Sequence, residues 1–239
     1  MLKDRYPRLE KTVFIVTYGR SGSTLLQSLL NGLPGALIRG ENENLLAPLA
    51  RAWDILRHSE QGARMREKIA EKGRPSARTD PWFGYEDVTA DAMGAALTQA
   101  FVDIVLRPAP DTRIAGFKEI RWHRDPAAFP VMLDLLRRHF PQAHFLFNLR
   151  DHAAVAQSGW WATMKPDLVR RELERAEALY AAYARRHTKH CLTLRYDELV
   201  GDIDAWRPLF AFLDEPFDAD LVSATLSRRL THLQPVRKR

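Results

Sequence analysis

Six consecutive residues, Gly19-Arg20-Ser21-Gly22-Ser23-Thr24, have types and an order that suit the binding of an anion. They follow an apolar, β-branched run, Val13-Phe14-Ile15-Val16-Thr17-Tyr18. They lead into Thr24-Leu25-Leu26-Gln27-Ser28-Leu29-Leu30, which reads as a helix stopped by Asn31-Gly32. Strand, glycine-flanked turn and helix start is the setting in which backbone N–H groups converge on a phosphate at the positive end of a helix. Gly19 and Gly22 let the chain turn tightly and approach the anion closely. Arg20 adds a fixed positive charge, and Ser23 and Thr24 add hydroxyl donors. The triphosphate pattern G-x-x-x-x-G-K-[ST] is not met, because the loop is shorter and Ser23 follows Gly22 where that pattern has lysine. A phosphoryl-transfer enzyme on this loop would lack its usual lysine and magnesium arrangement.

A second anion grip lies downstream. His144-Phe145-Leu146-Phe147-Asn148-Leu149 reads as a strand, Arg150 leaves its end, and Asp151 opens a helix as its N-cap. An arginine there can hold phosphate with two parallel N–H groups. Ser158, eight positions on, is expected two turns along that helix, on a face that can return toward the strand end. Two grips on two strand ends suit a nucleotide with two separate phosphate groups.

The stretch Thr17 to Leu25 resembles the 5′-phosphosulfate loop of sulfotransferases that use 3′-phosphoadenosine-5′-phosphosulfate (PAPS), in the bacterial and carbohydrate-type branch with arginine in place of the loop lysine. The resemblance implies that Gly19, Arg20, Ser21, Gly22, Ser23, Thr24 and Leu25 bind the phosphosulfate end. It implies that Arg150 and Ser158 hold the 3′-phosphate. Tyr196-Asp197-Glu198-Leu199 is similar to the family's Tyr-Glu-Asp-Leu segment and would set Tyr196 beside the adenine. PAPS would be the co-substrate, adenosine 3′,5′-bisphosphate (PAP) the product, and a hydroxyl on a carbohydrate, glycolipid or small molecule the acceptor. The likeness runs from about residue 12 to 215. It departs at the end of the chain: many cytosolic members carry an Arg-Lys-Gly loop over the 3′-phosphate, and here the tail reads Val236-Arg237-Lys238-Arg239. Arg228, Arg229 or that cluster are the substitutes on offer, beside the plainer reading of a solvated basic tail.

Sulfuryl transfer asks for in-line attack, removal of the acceptor's proton and neutralisation of charge on the leaving phosphate. The loop amides and Arg20 can meet the last need, so no metal is called for. Gly40-Glu41-Asn42-Glu43 follows a second strand candidate, Ala36–Gly40, and should lie near the loop. By resemblance Glu41 is the general base, with Glu43 the near alternative. Cytosolic members place a Lys-x-His base on the strand that here reads Phe117-Lys118-Glu119-Ile120-Arg121, without the histidine. Lys118 or Arg121 would then neutralise sulfate oxygens, and Glu119 is either another base candidate or the ion-pair partner of Lys118. Trp82-Phe83 and Trp160-Trp161 are either acceptor-side walls or core packing. His123 and His152 lie near these motifs, and neither is assigned a role.

The elements that must position these residues alternate along the chain. Strand candidates at 13–18, 36–40, 114–121, 144–149 and 192–196 are separated by helical patterns at 45–74, 87–106, 129–140 and 167–187. Further helices follow at 206–213 and 220–230. This alternation predicts an α/β, P-loop-like three-layer fold: a parallel sheet of about five strands with helices on both faces. Ligands in such sheets sit at the carboxyl ends of the strands, where Gly19, Gly40, Arg121, Arg150 and Tyr196 fall. One domain over residues 1–239 is expected, with 45–110 a mainly helical insertion shaping the acceptor site.

Composition narrows the class. A net charge of +6 suits an anionic ligand and would equally suit nucleic acid, through the arginines between Arg51 and Arg78. A non-catalytic nucleotide- or nucleic-acid-binding module therefore stands as the other alternative. The single cysteine, Cys191, cannot form an intramolecular disulfide and reads as a buried thiol. Lacking a signal-peptide core or a membrane-length apolar run, the chain is expected in the cytoplasm.

Overall fold

The structure, a computed structural model, describes residues 2–227. Arg228, Arg229 and the terminal basic cluster lie outside the described residues, as does the end of the helix expected to reach Leu230. Five parallel strands form one sheet: β1 (Lys11–Val16), β2 (Ala36–Arg39), β3 (Ile114–Glu119), β4 (Ala143–Leu149) and β5 (Cys191–Arg195), in the order β2-β3-β1-β4-β5. All residues of β1 are buried, as expected of a central strand covered on both faces. Its register sets Val16 level with Glu119 of β3 and Phe147 of β4.

The helices are α1 (Leu2–Arg5), α2 (Ser23–Leu30), α3 (Leu46–Arg57), α4 (Glu60–Lys72), α5 (Ala90–Phe101), α6 (Ala128–His139), α7 (His152–Ala156), α8 (Pro166–Arg186), α9 (Tyr196–Leu199), α10 (Arg207–Leu213) and α11 (Ala219–Ser227). Alternation along β1 sorts the core into two layers. Val13 and Ile15 pack with Leu25, Leu26 and Leu29 of α2, Leu209 and Phe210 of α10 and Val222 of α11. Phe14 and Val16 face α3, α5, α6 and α8 through Trp53, Phe101, Leu133 and Tyr180. Burying each such side chain contributes about 1.5–3 kcal/mol, which anchors β1 firmly between the two layers. No helix among the described residues is long and apolar enough to cross a membrane.

Several expectations need correction. The helical pattern over 45–74 is two helices: the first ends at Arg57, with His58 as its C-cap, and Ser59 caps the next, accepting from the Gly62 N–H at 3.0 Å. The helix expected from Asp87 starts at Ala90, capped by Thr89, and finishes as a π-helical turn at Val102–Leu106. The helix after Arg150 is only α7, whose cap is indeed Asp151. It ends at Ala156, so Ser158 is not two turns along it but in extended backbone ahead of a 3-10 turn, Gly159–Thr163. Cys191 is half-buried, and burial pushes its thiol up to about 12.

At the amino ends of the strands, opposite the expected site, a compact ion cluster ties the chain behind α10 to the sheet. Lys11 Nζ donates to the Leu213 carbonyl at 2.5 Å and to Glu215 Oε1 at 2.9 Å. Arg113 grips both Glu215 oxygens at 2.7 Å. The Arg113 fork, with Lys11 beside it, holds the Glu215 carboxyl below the usual carboxylate range although burial pulls the other way. A carboxyl lowered in the folded state stabilises fully above its unfolded pKa of about 4.3, and that stability is lost as pH falls through the folded value. Glu215→Ala leaves Lys11 buried without its carboxylate and should lose about 3 kcal/mol of stability at neutral pH in urea unfolding. The gap to the wild type should begin to narrow only below the unfolded value of about 4.3 and close as pH falls through the lower folded value, where Glu215 of the wild type takes up its proton. A neutral-pH loss under about 1 kcal/mol would contradict a buried pair of this kind.

Candidate active site

The carboxyl ends of β1, β3 and β4 meet above the middle of the sheet. There a cleft of about 170 Å³ is lined by Gly19, Arg20, Gly22, Ser23, Thr24, Glu41, Lys118, Ile120, Arg150, Trp160 and Tyr196. Residues up to 177 positions apart in the chain (196 − 19) share this one space. The strand order explains it: from β1 the chain moves out to β2 and β3 on one side, then crosses to β4 and β5 on the other. The crevice opens where that direction reverses.

The loop from β1 to α2 is held from beneath. Thr17 Oγ1 lies 2.6 Å from the Asn148 carbonyl oxygen and 2.7 Å from Ser21 Oγ, while Asn148 Nδ2 donates to the Ser21 carbonyl at 2.9 Å. All three residues are buried. Trp161 Nε1 donates to the Gly19 carbonyl at 2.9 Å. Ser21 therefore serves the loop's shape and does not line the cleft. Leu25 does not line it either: its side chain is in the core and its N–H is spent on the Gly22 carbonyl at 2.9 Å.

Gly22 caps α2 with φ 78°, a left-handed conformation that offers no side chain to the first-turn amides. The Ser23 and Thr24 amides precede the first bond of the helix, made by the Leu25 N–H, which leaves the positive end of α2 open to an anion. A Cβ on Gly22 would come within 2.0 Å of the Tyr196 ring, and one on Gly19 within 2.1 Å of the Trp160 ring. Both glycines are thus required by close aromatic neighbours as well as by the turn.

Arg20 also has a left-handed backbone, φ 68°, and its Nε donates to Ser158 Oγ at 2.9 Å. The structure brings Ser158 to the loop in this way, from extended backbone. Arg150 Nη1 donates to the Arg20 carbonyl at 3.0 Å, and its guanidinium lies 4.8 Å from the centre of the Tyr196 ring. Its Nε is buried with no hydrogen-bond partner in the protein. Behind it, the buried Tyr18 hydroxyl accepts from the Arg150 N–H at 2.9 Å and donates to Glu177 at 2.7 Å; His152 lies 2.9 Å from the same Glu177 oxygen. Burial chiefly raises the Tyr18 phenol far above its ordinary range, so it stays a neutral brace.

Across the cleft, Lys118 Nζ donates to Glu41 Oε1 at 2.8 Å, and Arg121 Nη1 donates to Glu41 Oε2 at 3.1 Å. Lys118 is therefore paired with Glu41 and not with Glu119. Glu119 is buried and accepts five N–H groups, from the backbones of Asn42, Asn44, Ile120 and Arg121 and from the Arg121 side chain. Burial alone would raise its carboxyl, but the amides of Asn42, Asn44 and Ile120 and the Arg121 charge outweigh it and hold it below the usual range. A carboxylate so fully solvated by donors is a poor base, which corrects its standing as a base candidate. Glu43 is exposed and does not line the cleft.

Of the aromatic candidates, Trp160 lines the cleft and is half exposed, while Trp161 is core. Trp82 and Phe83 are exposed on a separate loop and do not line it. His123 is buried between Tyr180 and Glu172, and burial lowers its pKa. Among the described residues no group of three or more His, Cys, Asp or Glu side chains could hold a metal ion. The arginines of α3 and α4 are partly neutralised, Arg51 by Asp125, Arg57 by Asp54 and Arg64 by Glu60. Four contributors escaped the sequence reading: Asn148, Tyr18, Glu177 and Ile120. Only Tyr18 and Asn148, polar groups at the ends of apolar strands, carry a signal that could have found them.

Comparison with known proteins identifies the family and the fold. The model of the sulfotransferase family matches residues 12–219 of the chain. The fold is similar to that of the sulfotransferase STF9 from Mycobacterium avium, whose crystal structure superposes with a TM-score of 0.50 at 14% sequence identity, covering 97% of this chain and 71% of that one. The loop, the second arginine and the five-stranded parallel sheet thus stand in a chain that belongs to the sulfotransferase family.

Proposed function

We propose that the chain moves a sulfuryl group from PAPS to a hydroxyl acceptor, with Glu41 as general base. What carries this is the meeting, in one cleft, of an uncapped helix N-terminus, three cationic side chains and one accessible carboxylate. The residues present fit a donor with two separated phosphate groups. The amides at the start of α2, with Ser23 and Thr24, suit the phosphosulfate end. Arg150, with its unpartnered buried Nε, and Ser158 suit the 3′-phosphate. Tyr196, beside Arg150, offers a ring face to the adenine.

When bound, PAPS supplies an activated sulfuryl group, which passes from its phosphate oxygen to the acceptor oxygen and leaves PAP. Glu41 takes the acceptor's proton on one carboxylate oxygen. Lys118 and Arg20 supply fixed positive charge where negative charge grows, in a partly dehydrated cleft that strengthens their effect. Ionic contacts with Lys118 and Arg121 hold Glu41 at the cleft wall before an acceptor arrives. The acceptor is a carbohydrate, a glycolipid or a small molecule. In this reading residues 1–239 act as one domain, and the helical stretch 45–110, which follows Glu41, borders the acceptor side. A cytoplasmic setting fits a chain with one cysteine.

The first test is binding of PAP by calorimetry, expected at micromolar concentration. Arg150→Ala should weaken it by about 10–100-fold, the worth of charge-assisted hydrogen bonds to a phosphate. Absence of PAP binding, or indifference to Arg150→Ala, would sink the donor assignment. The second test offers PAPS with a host metabolite extract and follows PAP release and sulfated products by mass spectrometry. Glu41→Gln should slow PAP release by about 10²–10⁴-fold while leaving PAP affinity within about threefold. Normal turnover in that variant would remove Glu41 from the mechanism.

A further inference from the structure

We propose that Glu119 is a positioning residue that sets the place of Glu41, acting through Arg121 and the backbone of residues 42–44. This rests on Glu41 being the base. Glu119 is the last residue of β3, its side chain is fully buried, and it does not line the cleft. Its Oε2 accepts the N–H groups of Asn42 at 3.0 Å and Asn44 at 2.9 Å. Its Oε1 accepts from the N–H groups of Ile120 at 2.8 Å and Arg121 at 3.0 Å, and from Arg121 Nη1 at 3.1 Å.

The segment so held is also tied forward into α3, by the Leu45 N–H to the Asn42 carbonyl at 3.2 Å and the Ala47 N–H to the Asn44 carbonyl at 2.9 Å, but its own N–H groups at Asn42 and Asn44 are spent on Glu119. Glu43 and Asn44 both sit in the left-handed region, φ 57° and 58°, which an asparagine tolerates and a glutamate disfavours. Two in succession persist only where the surroundings impose them. One carboxylate oxygen does so, taking the N–H on each side of Glu43. The turn starts at Asn42, directly after Glu41, so the anchor fixes where the Glu41 backbone leaves β2. The same Arg121 Nη1 that binds Glu119 also reaches Glu41 Oε2 at 3.1 Å, which ties the Glu41 side chain to the same anchor. Base and anchor are thereby joined twice, once through the backbone and once through a guanidinium.

Only an ionised carboxylate can do this. A glutamine has the same shape, but either orientation of its amide turns an NH₂ toward at least two N–H donors. The amide oxygen belongs on the side where three donors converge, so Glu119→Gln should loosen the half that holds Asn42 and Asn44, without opening a cavity.

The test uses the full chain and needs no knowledge of the acceptor. Amide hydrogen exchange at Asn42 and Asn44 should be at least about tenfold faster in Glu119→Gln, with Phe147 in β4 unchanged. PAP affinity should stay within about threefold, while PAP release from PAPS with the metabolite extract falls about 10–100-fold. In a Glu41→Gln background, Glu119→Gln should cause no further fall, since the two residues act as a unit. Unchanged exchange at Asn42 and Asn44, or an equal further fall in the double variant, would overturn the proposal. Should Glu119→Gln not fold, Arg121→Gln cuts only the guanidinium tie at a partly exposed position. It should slow PAP release with PAP affinity retained, and turnover within about twofold of wild type would overturn the proposal as well. A wild-type chain that fails to bind PAP would instead defeat the donor assignment itself.

Discussion

In the proposed function, the turn that carries the chain from β1 into α2 has to show bare backbone N–H groups to an anion while keeping every side chain out of the way. Left-handed backbone at Arg20 and Gly22 meets that demand; glycine adopts it freely, whereas at Arg20 it survives only when its surroundings impose it. The surroundings here are Thr17, Ser21 and Asn148 below, Trp161 behind, and the rings of Trp160 and Tyr196 resting on Gly19 and Gly22. The full burial of β1 fixes the starting point of the turn. Everything else at the site is measured from it.

Charge is arranged around this turn in two ways. On the β3 side, cations and carboxylates are closed into a chain, Lys118–Glu41–Arg121–Glu119, in which each group satisfies its neighbours. Burying ions without partners is costly, so closure is what permits charged groups at the end of a covered strand. On the β4 side the arrangement is left open. Arg150 is braced through its main chain by Tyr18 and Glu177, yet keeps one buried donor unspent. A paired half and an unpaired half suit a site that takes an anion on one side and handles a proton on the other.

Much of the fold was legible in the residues themselves. The β-branched apolar runs marked five strands, each displaced by only one or two residues at its ends, and the glycine-punctuated loop marked the start of α2. Errors gathered where polar segments connect elements. Ser158 was expected on a helix because Asp151 begins one, but α7 stops after five residues and a left-handed Gly159 follows. Glu119 stood as a second base candidate or the partner of Lys118, because a carboxylate near a site is chemically plausible. Its five donors come from backbone amides and Arg121, and amide direction is invisible in a residue string.

The sequence by itself determined the strand, glycine-punctuated turn and helix that carry the loop, because apolar runs and glycine placement act through local backbone geometry. It also determined the layered parallel sheet, since hydrophobic periodicity is a local property. Tertiary structure alone decided which of three acidic candidates faces the cleft, which cation it pairs with, and that Ser158 meets Arg20. These are contacts between residues 77 to 138 positions apart. They arise from strand order and from burial at the carboxyl edge of the sheet, where the cost of an unpaired charge chooses the partners.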